Sequence, residues 1–148
     1  MNDEALKLDN QLCFALYACS REITKLYKPF LDELNITYTQ YISLLVLWEK
    51  DNITVKEMGK KLHLDSGTLT PLLKKLESMN LVTRIRDTID ERNVYVSLTQ
   101  KGIELKKMAN EIPSKIFCAT GLSIENAVLL KSNIESLLLS LTPSHCNK

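Results

Sequence analysis

Residues 53–99 read ITVKEMGKKLHLDSGTLTPLLKKLESMNLVTRIRDTIDERNVYVSLT, and the order of patterns in this stretch decides the fold. Val55, Met58, Leu62 and Leu64 are spaced as on one side of a short helix. Asp65 and Ser66 then supply side-chain oxygens that can cap a second helix. In that helix Leu69, Leu72, Leu73 and Leu76 fall three and four apart and share a face. The opposite face carries Ser66, Thr68, Thr70, Lys74 and Lys75, with no carboxylate before Glu77. Two β-prone runs follow, Val82–Ile85 and Val94–Leu98, joined by the charged turn RDTIDERN. Val94, Val96 and Leu98 alternate with Tyr95 and Ser97, as in a half-buried strand.

Helix, turn, helix and charged hairpin in that order predict a winged helix-turn-helix, mainly α with a small β wing. The major groove of DNA admits one α-helix, and hydroxyls and amines on that helix can reach base edges and phosphates. This makes Ser66, Thr68, Thr70 and the neighbouring Pro71 candidates for the groove, and Lys74 and Lys75 for the backbone. Arg84, Arg86 and Arg92 carry the positive charge of the hairpin, with Arg92 a candidate to reach the minor groove and Asp90 to orient the wing. Without the charge pattern, the same elements would read only as a helical domain with a solvated hairpin.

Charge is distributed to match. The 148 residues carry 19 Lys+Arg against 18 Asp+Glu, a net charge of +1, so no global basic excess marks a nucleic-acid binder. Residues 1–50 hold 5 basic and 7 acidic groups, whereas Lys74–Arg86 holds 4 basic groups and only Glu77 acidic. The positive charge is local, and dimerisation would double it. Composition is 45% apolar and 25% charged, ordinary for a soluble globule of one domain. The acidic start MNDEALKLDN is unlike a basic secretory leader, and no apolar run reaches spanning length, so a cytoplasmic protein is expected. No Walker loop, GxGxxG or nucleophile elbow is present, and no cofactor is expected. The four cysteines are 6, 99 and 28 residues apart, without C-x-x-C, which argues against a zinc site and leaves the expected metal set empty.

Around the winged segment (residues 37–98) the chain reads as helices. Asp9 or Asn10 can cap a first helix ending near Leu34, with Leu12, Leu16, Cys19, Ile23, Leu26, Phe30 and Leu34 in its stripe. Pro29 should kink it or start a new turn. Thr39 can cap a second, largely apolar and therefore buried, helix over Gln40–Glu49. Thr99 looks like the cap of a fifth helix, bent at Pro113 and stopped at Gly121. Ser123 opens the last helix, with Val128, Leu130, Ile134, Leu137, Leu138 and Leu141 in line. The terminal stretches, residues 9–36 and 99–142, hold more leucine and isoleucine than a small DNA-binding head can cover. Either they close one self-contained bundle, or they build a homodimer with two recognition helices facing a pseudo-palindrome.

The wing residues Asp90-Glu91-Arg92, followed after Asn93 by VYVSLTQKG, resemble the D-x-R signature of the MarR family of bacterial repressors. DSGTLTPLLKKLE (65–77) and NQLCFALYACSREITKLYKPFLDELNITYTQY (10–41) are similar to the recognition and sensing helices of its organic-hydroperoxide branch. The likeness runs from about Asp9 to about Leu141. It implies a homodimer, an operator as partner and organic hydroperoxides as signal, with no enzymatic role.

For the cysteines, chemistry and resemblance point in different directions. A free cysteine is most often a small core residue. Cys13, however, lies early in the first helix with Tyr17 one turn on, and a helix N-terminus with hydroxyl donors favours the reactive thiolate. The resemblance makes Cys13 the peroxide-sensing residue and Tyr27 and Tyr38 its contacts across the dimer. It also matches Cys118, in IFCATG near the start of the last helix, to the second cysteine that resolves the sulfenic acid in some relatives. Cys118 can equally be an incidental apolar residue at a helix end. Cys19 cannot bridge Cys13 in an intact helix, because six residues rise about 9 Å, and it is expected in the core. Cys146 sits in a loose tail. Two other functions share these residues: a repressor switched by a small anionic aromatic ligand, and a thiol peroxidase. The second is poorly supported, since the arginine nearest in sequence to Cys13 is Arg21, two turns on.

Overall fold

A computed structural model of the chain describes residues 3–142. After two short 3-10 turns, Asp3–Leu6 and Leu8–Asn10, the elements run α1 (Leu12–Glu33), α2 (Tyr38–Glu49), β1 (Ile53–Thr54), α3 (Val55–Leu62) and α4 (Ser66–Ser78). They continue with β2 (Val82–Arg86), β3 (Val94–Leu98), α5 (Gln100–Ala109), α6 (Ile112–Thr120) and α7 (Ile124–Leu141). The chain divides after Ile112 into two compact units. The mainly α architecture with a small antiparallel wing agrees with the reading of residues 53–99. β1 was not anticipated. It pairs with β3 (Ile53 opposite Val96), giving a three-stranded sheet of order β1-β3-β2 with Val82 opposite Leu98.

The first unit owes its core to α2, α4 and the sheet. Tyr41, Leu44 and Leu47 of α2, Met58 of α3, Leu69, Leu73 and Leu76 of α4, and Val82 and Val96 are essentially removed from solvent. The leucine stripe of α4 is thus buried and its hydroxyl and lysine face turned outward. Gly59 permits the tight approach of α3 to α4: a Cβ there would lie 2.6 Å from the Leu64 carbonyl oxygen and 3.3 Å from Leu69 Cδ1.

Several caps are as expected. Asp65 accepts from Thr68 N at 2.7 Å, Thr99 from Gly102 N at 3.0 Å and Ser123 from Asn126 N at 3.2 Å. Two are not. α2 is capped by Thr37 rather than Thr39, because Thr37 and Gln40 form a reciprocal box: Gln40 N donates to Thr37 Oγ1 (3.3 Å) and Thr37 N to Gln40 Oε1 (2.9 Å). α1 starts after Gln11 with no side-chain cap. The Asn10 and Gln11 amides are taken by the preceding turn, donating to Glu4 O (2.8 Å) and Ala5 O (2.7 Å).

Pro29 lies inside an unbroken α1. Pro113 falls in the first turn of α6, where a missing N–H is tolerated, so the expected fifth helix is two helices. Gly121, at φ +68°, ends α6 as anticipated. In the second unit, α7 has no buried residue: Val128, Leu129, Leu130, Ile134, Leu138, Leu139 and Leu141 are all exposed. Among the described residues, no helix is long and apolar enough to cross a membrane.

Candidate nucleic-acid interface and thiol site

Asp65 holds the first turn of α4 by accepting from the Thr68 amide, and this hydrogen bond keeps its carboxyl below the usual aspartate range. Ser66 and Thr68 are exposed in that turn, and Pro71, Lys74 and Lys75 are exposed further along. Thr70 is half-buried, and its hydroxyl donates to Ser66 O at 2.8 Å. The helix thereby presents hydroxyls first and ammoniums after, on one solvent-facing surface.

The three arginines of the hairpin differ in what holds them. Arg84 is half-buried and donates to Glu77 Oε2 from Nε (3.0 Å) and Nη2 (2.9 Å), tying β2 to α4. This pair, which no local spacing announces, leaves Arg84 a structural strut rather than a free cation. Arg86 donates from Nη1 to Glu91 O at 2.7 Å, bracing the turn. Arg92 stands out from the wing, its side chain 90% exposed, and donates to both Asp90 oxygens at 3.0 and 3.2 Å. The Arg92 guanidinium beside it holds the Asp90 carboxyl below its ordinary value, and the Arg92 amide adds to the effect.

Cys13 is exposed in the first turn of α1. Tyr17 follows one turn later, 59% exposed, with the Arg21 guanidinium 5.5 Å from its ring centroid. Tyr27 and Tyr38 come together, ring centroids 4.9 Å apart, and both pack near Tyr41, which in turn meets Trp48 edge-on. Burial raises the Tyr27 phenol and pushes that of Tyr41 up to about 12. Fourteen helical residues, about 21 Å of rise, separate Cys13 from Tyr27, so one chain does not bring that pair to the thiol.

Cys19, expected in the core, is exposed, since α1 buries only Leu31 within one chain. Cys118 is exposed in the last turn of α6, at the helix end expected from Gly121 and the Ser123 cap of α7. Cys146 lies outside the described residues. Among those described, no three His, Cys, Asp or Glu side chains gather as a metal site would require.

A buried leucine face under an exposed hydroxyl–lysine face, followed by a two-stranded wing with an outstretched arginine, defines a winged helix-turn-helix transcriptional regulator. The family model for the transcriptional regulator SarA/Rot matches residues 25–109. The organic hydroperoxide resistance transcriptional regulator of Bacillus subtilis (strain 168) is 55% identical over 136 residues, which span 92% of each chain. AbfR of Staphylococcus epidermidis, in the structure of its reduced form bound to DNA, superposes with a TM-score of 0.78 at 35% identity, covering 95% of this chain and 99% of that one. Its disulfide form gives a TM-score of 0.61 at 36% identity, with coverage of 95% and 94%. The chain belongs to the MarR family of winged helix-turn-helix regulators, in the organic-hydroperoxide branch.

Proposed function

We propose that the chain is a cytoplasmic, dimeric, redox-sensing repressor: reduced, it holds an operator, and oxidation of Cys13 by an organic hydroperoxide releases the DNA. One observation carries this reading. An exposed thiol opens α1 in the same chain that carries an outward hydroxyl–lysine helix and wing, and over 92% of its length the chain is related to an organic hydroperoxide regulator.

The dimer follows from α7. An 18-residue helix with no buried side chain and eight exposed large apolar residues needs a second surface. A two-fold partner supplies it and places two α4 helices on one duplex. Ser66, Thr68 and Pro71 then face the major groove, Lys74 and Lys75 the phosphates, and Arg92, aimed by Asp90, the minor groove. The half-buried hydroxyl of Thr70 supports the first turn instead.

The thiol chemistry has two steps. The Cys13 thiolate attacks the distal peroxide oxygen, the O–O bond breaks, and a proton converts the departing alkoxide to alcohol, leaving sulfenic acid on sulfur. A second thiol, Cys118 of a partner subunit in this reading, attacks that sulfur, forms the disulfide and expels water. Phenols near Cys13 supply hydrogen bonds to the anion: Tyr17 from its own chain, and the Tyr27–Tyr38 pair from the partner. A thiol peroxidase would begin with the same two steps; the transcriptional regulators to which the chain is related favour a sensor, and turnover of excess hydroperoxide with a dithiol reductant would overturn that choice.

The test is DNA binding before and after one equivalent of cumene hydroperoxide, using a duplex selected from a random pool. Wild type should release the DNA, and Cys13→Ser should bind and not release. Release by oxidised Cys13→Ser would move the sensor elsewhere.

A further inference from the structure

Ile89 is the most exposed large apolar residue described, 95% open to solvent, and it stands at the tip of the wing. The loop around it is closely hydrogen-bonded. Asp87 N donates to Asn93 O (2.8 Å) and Asn93 N to Asp90 O (2.9 Å). Ile89 N donates to Asp87 Oδ1 (3.0 Å), Arg92 N to Asp90 Oδ1 (3.2 Å), and Arg86 Nη1 to Glu91 O (2.7 Å). These bonds hold the backbone on both sides of Ile89, and its side chain has no neighbour to pack on. A β-branched side chain is stiff at χ1 and loses little freedom on docking.

We infer that Ile89 is a specificity-determining residue: resting on the reading that Arg92 enters the minor groove, it seats against A·T pairs at the outer flanks of the operator. The minor groove is about 6 Å wide, and A·T pairs offer there only acceptors, C–H groups and deoxyribose walls. An isoleucine side chain can lie against the adenine C2–H and the sugars and displace water. A G·C pair puts the guanine 2-amino group into the same space, where the apolar side chain would leave that donor unsatisfied. Apolar side chains set beside arginine in a minor groove also favour the more deformable steps. Arg92, three residues on, supplies the attraction that brings the tip to the groove, and Ile89 reads the absence of the amino group.

The experiment is selection from a random duplex library by full-length wild type, Ile89→Ser and Ile89→Val, followed by binding of the selected duplex with its flanking pairs varied. Wild type should enrich A·T flanking the inner sequence read by α4, and a G·C flank should weaken binding by about tenfold. Inosine·cytosine flanks, which lack the minor-groove amino group yet resemble G·C in the major groove, should bind as A·T does. Ile89→Ser should select the same inner sequence with the flank preference reduced to about twofold or less, while Ile89→Val keeps it. A flank preference unchanged in Ile89→Ser, or inosine·cytosine behaving as G·C, would overturn the inference and leave the DNA-binding reading intact. Failure of wild type to enrich any sequence would overturn both.

Discussion

Trp48 Nε1 donates to the Gly102 carbonyl at 2.9 Å, joining the end of α2 to the start of α5. The same glycine lies against the hairpin, where a Cβ would sit 2.2 Å from Leu81 O and 3.1 Å from Leu98 Cδ2. Thr99 N donates to that Leu81 carbonyl as well (3.1 Å), and Thr99 Oγ1 to Asn80 O (2.7 Å). The root of α5 is therefore locked to the base of the wing through backbone atoms, which have little room to move. This is how the DNA-reading head is connected to the helix that leads out of it.

Gly102→Ala should lower stability by about 1–3 kcal/mol, since the added methyl meets backbone rather than a flexible side chain. Urea unfolding of wild type and variant measures it. An unchanged midpoint would show that α5 can withdraw from Leu81 freely.

Arg92→Ala should weaken binding to the selected duplex by about 1–3 kcal/mol and relax sequence preference where the wing touches. Lys74→Ala should weaken all sequences alike and reduce the slope of log affinity against log salt by about 1. Fluorescence anisotropy titrations at several salt concentrations separate the two. A loss at Arg92 that is as small and as indifferent to sequence as that at Lys74 would remove Arg92 from base-edge reading.

Peroxide alone, without added small thiol, should produce a covalent dimer on non-reducing gels, and Cys118→Ser should abolish it while Cys13 still becomes sulfenic acid. Dimedone labelling followed by mass spectrometry reports the second point. A covalent dimer that persists in Cys118→Ser but vanishes in Cys146→Ser assigns the second thiol to the C-terminal residues instead.

Alkaline pH should destabilise the fold through the aromatic cluster. The folded Tyr41 phenol titrates at about 12, above its ordinary value, because burial opposes the charged form. A group whose folded pKa is raised stabilises the protein fully below the unfolded value, and that stability is lost as pH rises. Between about pH 10 and 12 the unfolded chain gives up this proton first, so stability should fall by on the order of 2 kcal/mol. Tyr41→Phe should flatten this limb in denaturant melts taken across the range. An equally steep alkaline limb in Tyr41→Phe would assign the loss to other groups.

Much of the head was legible in residues 53–99 because its determinants are local. The Asp65 cap needs only the amide three residues on, the α4 stripe only a 3.6-residue repeat, and the wing only alternation and a polar turn. The same locality explains the misplaced caps. Thr37 and Thr39 are both plausible by type, and the reciprocal Gln40 contact that selects Thr37 is visible only once the chain turns. Asn10 has the right chemistry for a cap but is occupied by Glu4 O.

By itself, the sequence determined the helix-turn-helix and hairpin of residues 53–99, the polar face of α4 and the thiol at the head of α1. The tertiary structure alone decided which charges are free and which contacts are far apart in the chain. Glu77 ties Arg84 of the wing to α4, β1 finds β3 across more than forty residues, and Gly102 must lack a side chain because Leu81 arrives there. It also shows that Cys13 and Tyr27 lie at distant turns of α1, with Tyr38 of α2 packed beside Tyr27, so the thiol and the tyrosine pair do not meet within a chain. Caps and stripes depend on neighbours a few residues away, whereas pairing, burial and close backbone approach depend on where chain reversals bring distant segments together.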